Sequence, residues 1–270
     1  MTVPTTGAIP NRRSQTMPFV RRLSAAAILV ASLVAAAGPN RPALAAEPFT
    51  PEQKAAVEAI VRDYIARNPE LVLEAISAVE ARQKAEKQQA AQAALVTHRD
   101  ALERSAGDPV LGNPDGDVTI VEFFDYQCGY CKTMVGPMQE LINGDSKIRW
   151  VLKEFPILGP ESVMAAHASL ASVRQGKYEK FHFTLMGLRG RLSEAAIWQA
   201  AAEAGLDIDR LKKDMADPAI EAQISTNYQL AQALRIEGTP AFTVGGTLLP
   251  GAAPKEHLAE LVKKARDGNG

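Results

Sequence analysis

The most reactive side chains of the sequence are two cysteines, Cys128 and Cys131, which lie three positions apart. If Cys128 stands at the N-terminus of a helix, the unpaired N–H groups and partial positive charge there lower its pKa and make it a nucleophile. Cys131 then lies one turn later, where it can attack a mixed disulfide and release the bound substrate. The spacing predicts a redox-active disulfide Cys128–Cys131 that needs no cofactor and encloses Gly129 and Tyr130.

Three other classes of function fit the composition poorly. A structural disulfide across two residues closes little chain and stabilises little. A metal site needs further ligands, and the four histidines are scattered without zinc spacing, so we expect surface or core-edge roles for His98, His167, His182 and His257. Nucleic-acid binding is disfavoured because residues 46–270 carry 25 basic and 31 acidic side chains, once the five arginines of residues 1–45 are set aside.

The elements around the cysteine pair suit this chemistry. Val118 to Phe124 is an apolar run broken by one acid, which predicts a strand buried on both faces. Apolar residues at helical spacing follow the cysteines, and Ile148 to Phe155 predicts a second strand. The pair therefore lies at the start of a helix that follows a buried strand.

Glu122 is the acid inside the first predicted strand. A buried carboxyl group is costly unless it has a partner or a purpose. We expect it to carry protons to and from Cys131, with an edge-exposed acid as the alternative. Lys153 or Glu154 of the neighbouring strand is the expected partner.

Thr239 and Pro240 open a later strand, a position where proline is otherwise disfavoured. A cis peptide bond there would turn the backbone of Thr239 toward the cysteines, where it could hydrogen-bond an extended substrate chain. An ordinary trans proline at the first residue of a strand is the alternative.

The remaining pattern defines a fold. Helical segments fill about residues 157–236, a Gly245-Gly246 hairpin joins two strands, and an amphipathic helix runs from about Pro254 to Arg266. Without the helical insert, the order is strand–helix–strand, then strand–strand–helix. This order predicts an α/β thioredoxin fold with an inserted helical subdomain over residues 108–270.

Residues 1–45 are typical of an export signal. Arg12, Arg13, Arg21 and Arg22 precede a fifteen-residue apolar run, and Ala43 to Ala45 offers a cleavage site. Fifteen residues are too few to span a bilayer core of about 30 Å, so we expect cleavage near Ala45 rather than a membrane anchor. Translation from Met1 or from Met17 is left open. Export to the periplasm places the cysteines where disulfides persist.

Two helical segments precede the predicted fold. Residues 46–80 carry two short apolar stripes, which need a partner because short isolated helices are marginally stable. Residues 81–107 begin with helix formers that lack an apolar face, which predicts an exposed helical linker; a solvated helix on a single domain is the alternative. We expect residues 46–80 to be an oligomerisation segment.

Three motifs carry a resemblance to a known family: VEFFDYQCGYCK over 121–132, KEFP over 153–156 and GTP over 238–240. They resemble the DsbA-like thiol–disulfide oxidoreductases, and the front helices with the linker resemble the ScsC (suppressor of copper sensitivity) branch, over about residues 47–267.

The resemblance implies a bacterial periplasmic enzyme that assembles as a homotrimer through its N-terminal helices. It also implies that Cys128 is the nucleophile, Cys131 the resolving cysteine, Glu122 a buried acid and Pro240 a cis-proline. The sequence departs from DsbA at Gly129-Tyr130, where the histidine that stabilises the DsbA thiolate is missing. Thr239 before the proline is similar to isomerase-type relatives.

Several functions follow as hypotheses. The first is a disulfide isomerase or oxidoreductase that acts on misfolded or reduced exported proteins and is reset by a redox partner in the inner membrane. The alternatives are a monomeric DsbA-like oxidase and a Cu(I)-binding module for copper tolerance. A groove for unfolded chains on the helical insert is a further hypothesis, although core packing needs the same residues: Met164, Leu170, Phe181, Phe183, Leu185 and Met186.

Overall fold

The computed structural model describes residues 49–268. The predicted export signal and its cleavage site near Ala45 lie outside the described residues. The described chain divides between Tyr64 and Ile65 into two units. None of the helices within residues 49–268 has both the length and the apolar composition of a membrane-spanning segment.

The first unit contains most of helix α1 (Pro51–Arg67). The backbone N–H of Gln53 donates to the hydroxyl oxygen of Thr50 at 3.3 Å, and the N–H of Thr50 donates to the Gln53 side chain at 2.9 Å. This reciprocal cap explains why the helix begins at Pro51. The apolar stripe that includes Val57, Ile60 and Val61 is exposed in the single chain.

The second unit begins with the end of α1 and continues into α2 (Glu70–Thr97), one uninterrupted helix of 28 residues. The structure differs here from the exposed linker expected over 81–107, because Ala91, Leu95 and Leu102 are buried. Leu95 on the last turns of α2 and Leu102 on the short helix α3 (Arg99–Glu103) belong to one core, which packs against the sheet.

A five-stranded mixed sheet forms the centre of the second unit, in the order β1-β3-β2-β4-β5. Strands β2 and β3 pair in parallel, and the other pairs are antiparallel. Edge strand β1 is absent from the sequence-based expectations, which place turns around it. The strands are β1 (Val110–Gly112), β2 (Val118–Phe124), β3 (Ile148–Glu154), β4 (Ala241–Val244) and β5 (Thr247–Pro250).

Helices surround this sheet in the predicted order. Helix α4 follows β2, five helices lie between β3 and β4, and α10 follows β5. The predicted thioredoxin fold with a helical insert is therefore confirmed. The helices are α4 (Gly129–Gly144), α5 (Pro160–Ser172), α6 (Tyr178–Gly187), α7 (Glu194–Glu203), α8 (Ile208–Asp214), α9 (Pro218–Ala233) and α10 (Lys255–Arg266).

Strand β2 is buried over its whole length, and its side chains alternate between two cores. Ile120 and Phe124 face the core that holds both cysteines. Val121 and Phe123 face the core formed with α9 and the end of α2. In the helical insert, Phe181 and Leu185 are fully buried, so these residues pack the core rather than line a surface groove.

Candidate active site

The two cysteines begin helix α4, as the spacing predicts. Cys128 is the N-cap residue of α4, and its sulfur accepts a hydrogen bond from the backbone N–H of Cys131 at 3.3 Å. Both cysteines are free thiols. Cys128 is 6% exposed and Cys131 is 1% exposed, so the first cysteine is the one nearer to solvent.

The surroundings of the two thiols separate their pKa values. A side-chain hydrogen bond with Cys131, assisted by one from Thr239, lowers the pKa of Cys128 to about 6 against the opposing effect of burial. Burial raises the pKa of Cys131 far above its usual range, and the hydrogen bond to Cys128 and the charge of Glu122 act in the same direction. At neutral pH, Cys128 is therefore a thiolate and Cys131 a thiol.

The two residues enclosed by the cysteines lie on open surface beside the nucleophile. Tyr130 is 70% exposed. A Cβ atom added at Gly129 would meet no other heavy atom within 4 Å. A substrate can therefore approach α4 from the side of these two residues.

Thr239 and Pro240 lie beside the nucleophile. The peptide bond between them is cis. The sulfur of Cys128 lies 3.2 Å from the carbonyl oxygen of Thr239, and in its thiol form it donates to that oxygen. The structure therefore brings the cysteine pair and the proline loop together, as the sequence predicts.

Glu122 lies on the face of β2 that the cysteine helix covers, together with Ile120 and Phe124. It is 2% exposed, so it is not an edge-exposed acid. The indole N–H of Trp150 donates to its Oε2 at 3.1 Å. Burial raises the pKa of Glu122 to about 8, the bond from Trp150 opposes this, and the Cys128 charge adds to it.

The expectation that Lys153 or Glu154 pairs with Glu122 is wrong. Lys153 points to the opposite face of the sheet, where its ammonium group binds the carboxylate of Asp108 and the carbonyl oxygen of Ala101. Glu154 lies at the end of β3 and accepts a hydrogen bond from the Tyr126 hydroxyl at 3.1 Å. Alternation along β3 places Lys153 on the face opposite Glu122. Glu154 shares the face of Glu122 but pairs in register with Phe124, and it is bound by Tyr126 instead.

Asp125 organises the loop before the cysteines, a role that was not predicted from the sequence. Its Oδ2 accepts hydrogen bonds from the backbone N–H groups of Ile157 and Leu158 at 2.8 and 2.9 Å. Its Oδ1 accepts from the N–H of Gln127 and the hydroxyl of Ser162, each at 2.7 Å. Asp125 thereby joins the cysteine loop to the start of the helical insert.

A second buried group centres on Tyr126. Its hydroxyl lies 2.6 Å from the Ser169 hydroxyl and 3.0 Å from Nδ1 of His182, besides its bond to Glu154. His182 is 1% exposed, so the expected surface or core-edge position is wrong, and burial lowers its pKa to about 3. The position of Asp125 and Tyr126 between a buried strand and the cysteine pair is the sequence signal that could have identified them.

No metal centre accompanies the thiols in the part of the chain that the structure describes. Across residues 49–268, no three or more His, Cys, Asp or Glu side chains are grouped so that they could hold a metal ion. The chemistry that this arrangement supports is thiol–disulfide exchange, with a thiolate at a helix N-terminus, a shielded second thiol and a buried acid.

Comparison of the sequence with known protein families assigns the chain to the same class, the thiol–disulfide oxidoreductases. The DSBA-like thioredoxin domain family matches residues 119–263, more than half of the chain, and the Copper resistance protein ScsC N-terminal domain matches residues 53–86. The chain therefore belongs to the DsbA-like thioredoxin family, and its N-terminal helices carry the ScsC-type domain.

Solved structures of similar proteins extend this result. A thioredoxin-like oxidoreductase from Silicibacter pomeroyi is 46% identical over 63% of this chain and 98% of its own, with a TM-score of 0.62. ScsC of Proteus mirabilis in a transitional conformation is 31% identical over 82% and 98%, with a TM-score of 0.61. A periplasmic thioredoxin-like protein from Salmonella enterica serovar Typhimurium is 30% identical over 62% and 94%, with a TM-score of 0.57.

Curated relatives include much longer proteins. The Na(+)/H(+) antiporter NhaA 3 of Salinispora tropica is 30% identical over 160 residues, which are 58% of this chain and 24% of the antiporter. The chain thus spans about a quarter of the length of the curated relatives that it matches.

Proposed function

We propose that this chain is an exported thiol–disulfide oxidoreductase that isomerises disulfides of misfolded proteins in the bacterial periplasm. The observation that carries the proposal is the cysteine pair. Cys128 is an N-cap residue with a pKa near 6, and Cys131 one turn later is a shielded thiol. The signal-like residues 1–45 and the similarity to a periplasmic Salmonella protein support the location.

The proposed reaction has one first step, which can be followed by either of two second steps. The Cys128 thiolate attacks a substrate disulfide, so that one substrate sulfur joins Cys128 and the other leaves as a thiolate. In isomerisation, a substrate thiolate later attacks the mixed disulfide and regenerates the Cys128 thiolate, with no net electron transfer. Otherwise Cys131 attacks Cys128, which leaves the substrate with two thiols and the enzyme with a Cys128–Cys131 disulfide.

Glu122 is placed to serve the second route. Cys131 must lose a proton before it attacks, and the pKa of Glu122 near 8 allows its ionised form to accept a proton near neutral pH. A redox partner in the inner membrane would then reduce the Cys128–Cys131 disulfide for another cycle. Thr239 would hold the substrate backbone beside Cys128. The reaction would need no cofactor, because the Cys128–Cys131 pair itself is oxidised and reduced.

The N-terminal helices support assembly into a homotrimer. An apolar groove of about 500 Å³ lies on residues 65–80, lined by Ile65, Leu71, Val72, Ala75, Ile76 and Val79. Several of these apolar side chains are exposed in the single chain, and clustered exposed apolar side chains favour a protein interface. Several Cys128 thiolates held over one substrate would raise their effective concentration, which favours repeated exchange over a single oxidation.

A refolding assay on scrambled ribonuclease tests the chemistry, and molar mass by light scattering tests the assembly. We expect Cys128→Ser to lose disulfide exchange, and full activity in this variant would refute the assignment. We expect deletion of residues 46–80, or the double substitution Leu71→Glu/Ile76→Glu in the full chain, to give a monomer. A mass unchanged in both would remove the trimer.

The monomeric oxidase differs in measurable ways. It would oxidise reduced ribonuclease faster than it repairs scrambled ribonuclease, and its Cys128–Cys131 disulfide would have a high reduction potential. Measuring both activities with the reduction potential separates the two functions.

A Cu(I)-binding module is the second candidate, because the family that matches residues 53–86 is named for copper resistance. Cys128 and Cys131 would supply two soft thiolate ligands. Tight stoichiometric copper in the reduced protein, lost in Cys128→Ser and accompanied by no exchange activity, would favour this candidate.

A further inference from the structure

A groove that the cysteine site does not use lies where helix α9 ends. It encloses about 490 Å³, within the range of about 300–1,000 Å³ that is usual for ligand sites. Phe155, Tyr228 and Ile236 contribute its apolar lining, and Gln232, Arg235 and Glu237 contribute polar side chains.

The groove is continuous with the active site along the chain. Ile236 and Glu237 line it, and Thr239 follows two residues later with its carbonyl oxygen 3.2 Å from the sulfur of Cys128. Two residues separate their Cα atoms by at most about 8 Å. A substrate chain held at Cys128 and Thr239 advances about 3.3 Å per residue when extended, so a side chain two to four residues away from its cysteine reaches the groove.

The lining indicates which side chain would bind. The rings of Phe155 and Tyr228 meet edge to face, with centroids 5.0 Å apart. The Tyr228 hydroxyl donates to the carbonyl oxygen of Pro156, which holds that ring in place. Arg235 and Glu237 carry opposite charges, so the rim has no net charge to attract an ionic group. An aromatic or large aliphatic side chain fits this surface.

The backbone conformation of Arg235 is a second, independent observation on the rim of the groove. Its φ of 59° lies in the left-handed region, the usual place of glycine after a helix. The N–H of Ile236 donates to the carbonyl oxygen of Ala231 at 2.8 Å, which closes the helix in this conformation. A long cationic side chain is thus present where glycine would be less strained, and it lies on the rim of the groove.

We propose that this groove is a specificity subsite, which binds an aromatic or large aliphatic side chain of the substrate polypeptide two to four residues from the cysteine joined to Cys128. The inference rests on the proposed function, because it needs a mixed disulfide at Cys128.

Short peptides test the subsite. Each has one cysteine in an alanine-glycine host, activated as a mixed disulfide with thionitrobenzoate, and a series places phenylalanine at every position from four before to four after the cysteine. Cys128 of the reduced full chain attacks the peptide sulfur and expels coloured thionitrobenzoate; Cys131 then releases the peptide thiol. We expect phenylalanine at one or more positions two to four residues away to raise the second-order rate constant about 10-fold over the host peptide.

Two exposed positions of α9 provide a matched pair of variants. Gln232→Trp fills the groove, and we expect it to bring the phenylalanine-to-host ratio near one while the host peptide reacts at the wild-type rate. Ala222→Trp adds the same ring outside the groove, and the preference should persist.

The outcomes separate this inference from the proposed function. Equal rates for all peptides with the wild type, or a preference that survives Gln232→Trp, would overturn the subsite and leave disulfide exchange intact. Thionitrobenzoate release no faster with the wild type than with Cys128→Ser would overturn the proposed function itself.

Discussion

The indole N–H of Trp150 donates to Oε2 of Glu122 at 3.1 Å and is the hydrogen-bond donor that the structure gives to this buried carboxyl group. The two residues lie on neighbouring parallel strands, and both side chains are almost completely buried. A hydrogen bond from a neutral donor offsets little of the cost of burying a charge. The carboxyl group is therefore held mainly in its protonated form at neutral pH, next to a thiol that must lose a proton.

Glu122→Gln should remove the contribution of Glu122 to the pH dependence of the folding stability of the reduced protein. The pKa of Glu122 is about 8 in the folded chain against 4.5 for the free group, so the folded state binds the proton more tightly. The contribution of Glu122 to wild-type stability therefore falls as pH rises from about 4.5 to about 8. At about 1.4 kcal/mol per pKa unit, the folding stability of the variant relative to the wild type rises across this window by at most about 5 kcal/mol.

Urea unfolding at several pH values measures this difference. Trp150→Phe is the companion variant: without its donor, the pKa of Glu122 rises further, so the decline that Glu122 contributes should extend to higher pH. A difference between Glu122→Gln and the wild type that stays constant from pH 4.5 to pH 8 would contradict the assignment of the pKa to burial.

Cys131→Ala and Cys131→Ser should differ in the pKa of Cys128. The side-chain hydrogen bond with Cys131 is the largest cause of the lowered pKa of Cys128. Alanine removes that donor, so the pKa should rise toward its usual range, whereas the serine hydroxyl keeps a donor and should hold the pKa near 6.

The pH dependence of alkylation by iodoacetamide measures this pKa, because each variant has one thiol. The rate follows the thiolate fraction, so it should reach half of its maximum near pH 6 in Cys131→Ser and at clearly higher pH in Cys131→Ala. Identical midpoints would show that the side chain of Cys131 does not contribute to the lowered pKa of Cys128.

The sequence predicts the elements of this fold more reliably than the partners of its buried polar side chains. The apolar run of β2 and the helical spacing after Cys131 are local patterns, so they identify a strand and a helix directly. The three residues of β1 carry no such pattern, and they form a strand because they pair with β3.

Partner choice depends on which face of the sheet a side chain occupies. Lys153 and Glu154 are adjacent in sequence and lie on opposite faces, so neither local charge nor spacing shows that one binds Asp108 and the other Tyr126. The burial of Leu95 likewise depends on tertiary packing, since the segment before it has almost no large apolar residue.

Tyr126→Phe should destabilise the protein more than Tyr178→Phe. The Tyr126 hydroxyl contacts Glu154, Ser169 and His182, whereas the Tyr178 hydroxyl donates to Glu154 at 3.2 Å. Loss of a buried partner costs about 1–3 kcal/mol for each group left unsatisfied. Denaturant unfolding in the reduced state measures both variants. A smaller loss of stability in Tyr126→Phe than in Tyr178→Phe would show that Ser169 and His182 do not need the Tyr126 hydroxyl as a hydrogen-bond partner.

Lys153→Met should cost about 3–5 kcal/mol, because it leaves the carboxylate of Asp108 buried without its cation. Both side chains of this pair are 1% exposed, and Gln223 donates to the other oxygen of Asp108 at 3.1 Å. Burial raises the pKa of Asp108, and the nearby charge of Lys153 lowers it. In the variant, Asp108 should therefore take up a proton at higher pH, so the destabilisation should be smaller in acid than at neutral pH.

The double variant Lys153→Met/Asp108→Leu is the control for packing, because it removes both charges while it keeps apolar volume. Replacing a buried ion pair by apolar residues is often neutral or stabilising, so most of the lost stability should return. Urea unfolding of the wild type, the single variant and the double variant gives the comparison. A double variant as unstable as Lys153→Met would mean that the bond from Lys153 to the Ala101 carbonyl, rather than charge pairing, holds residues 98–109 against the sheet.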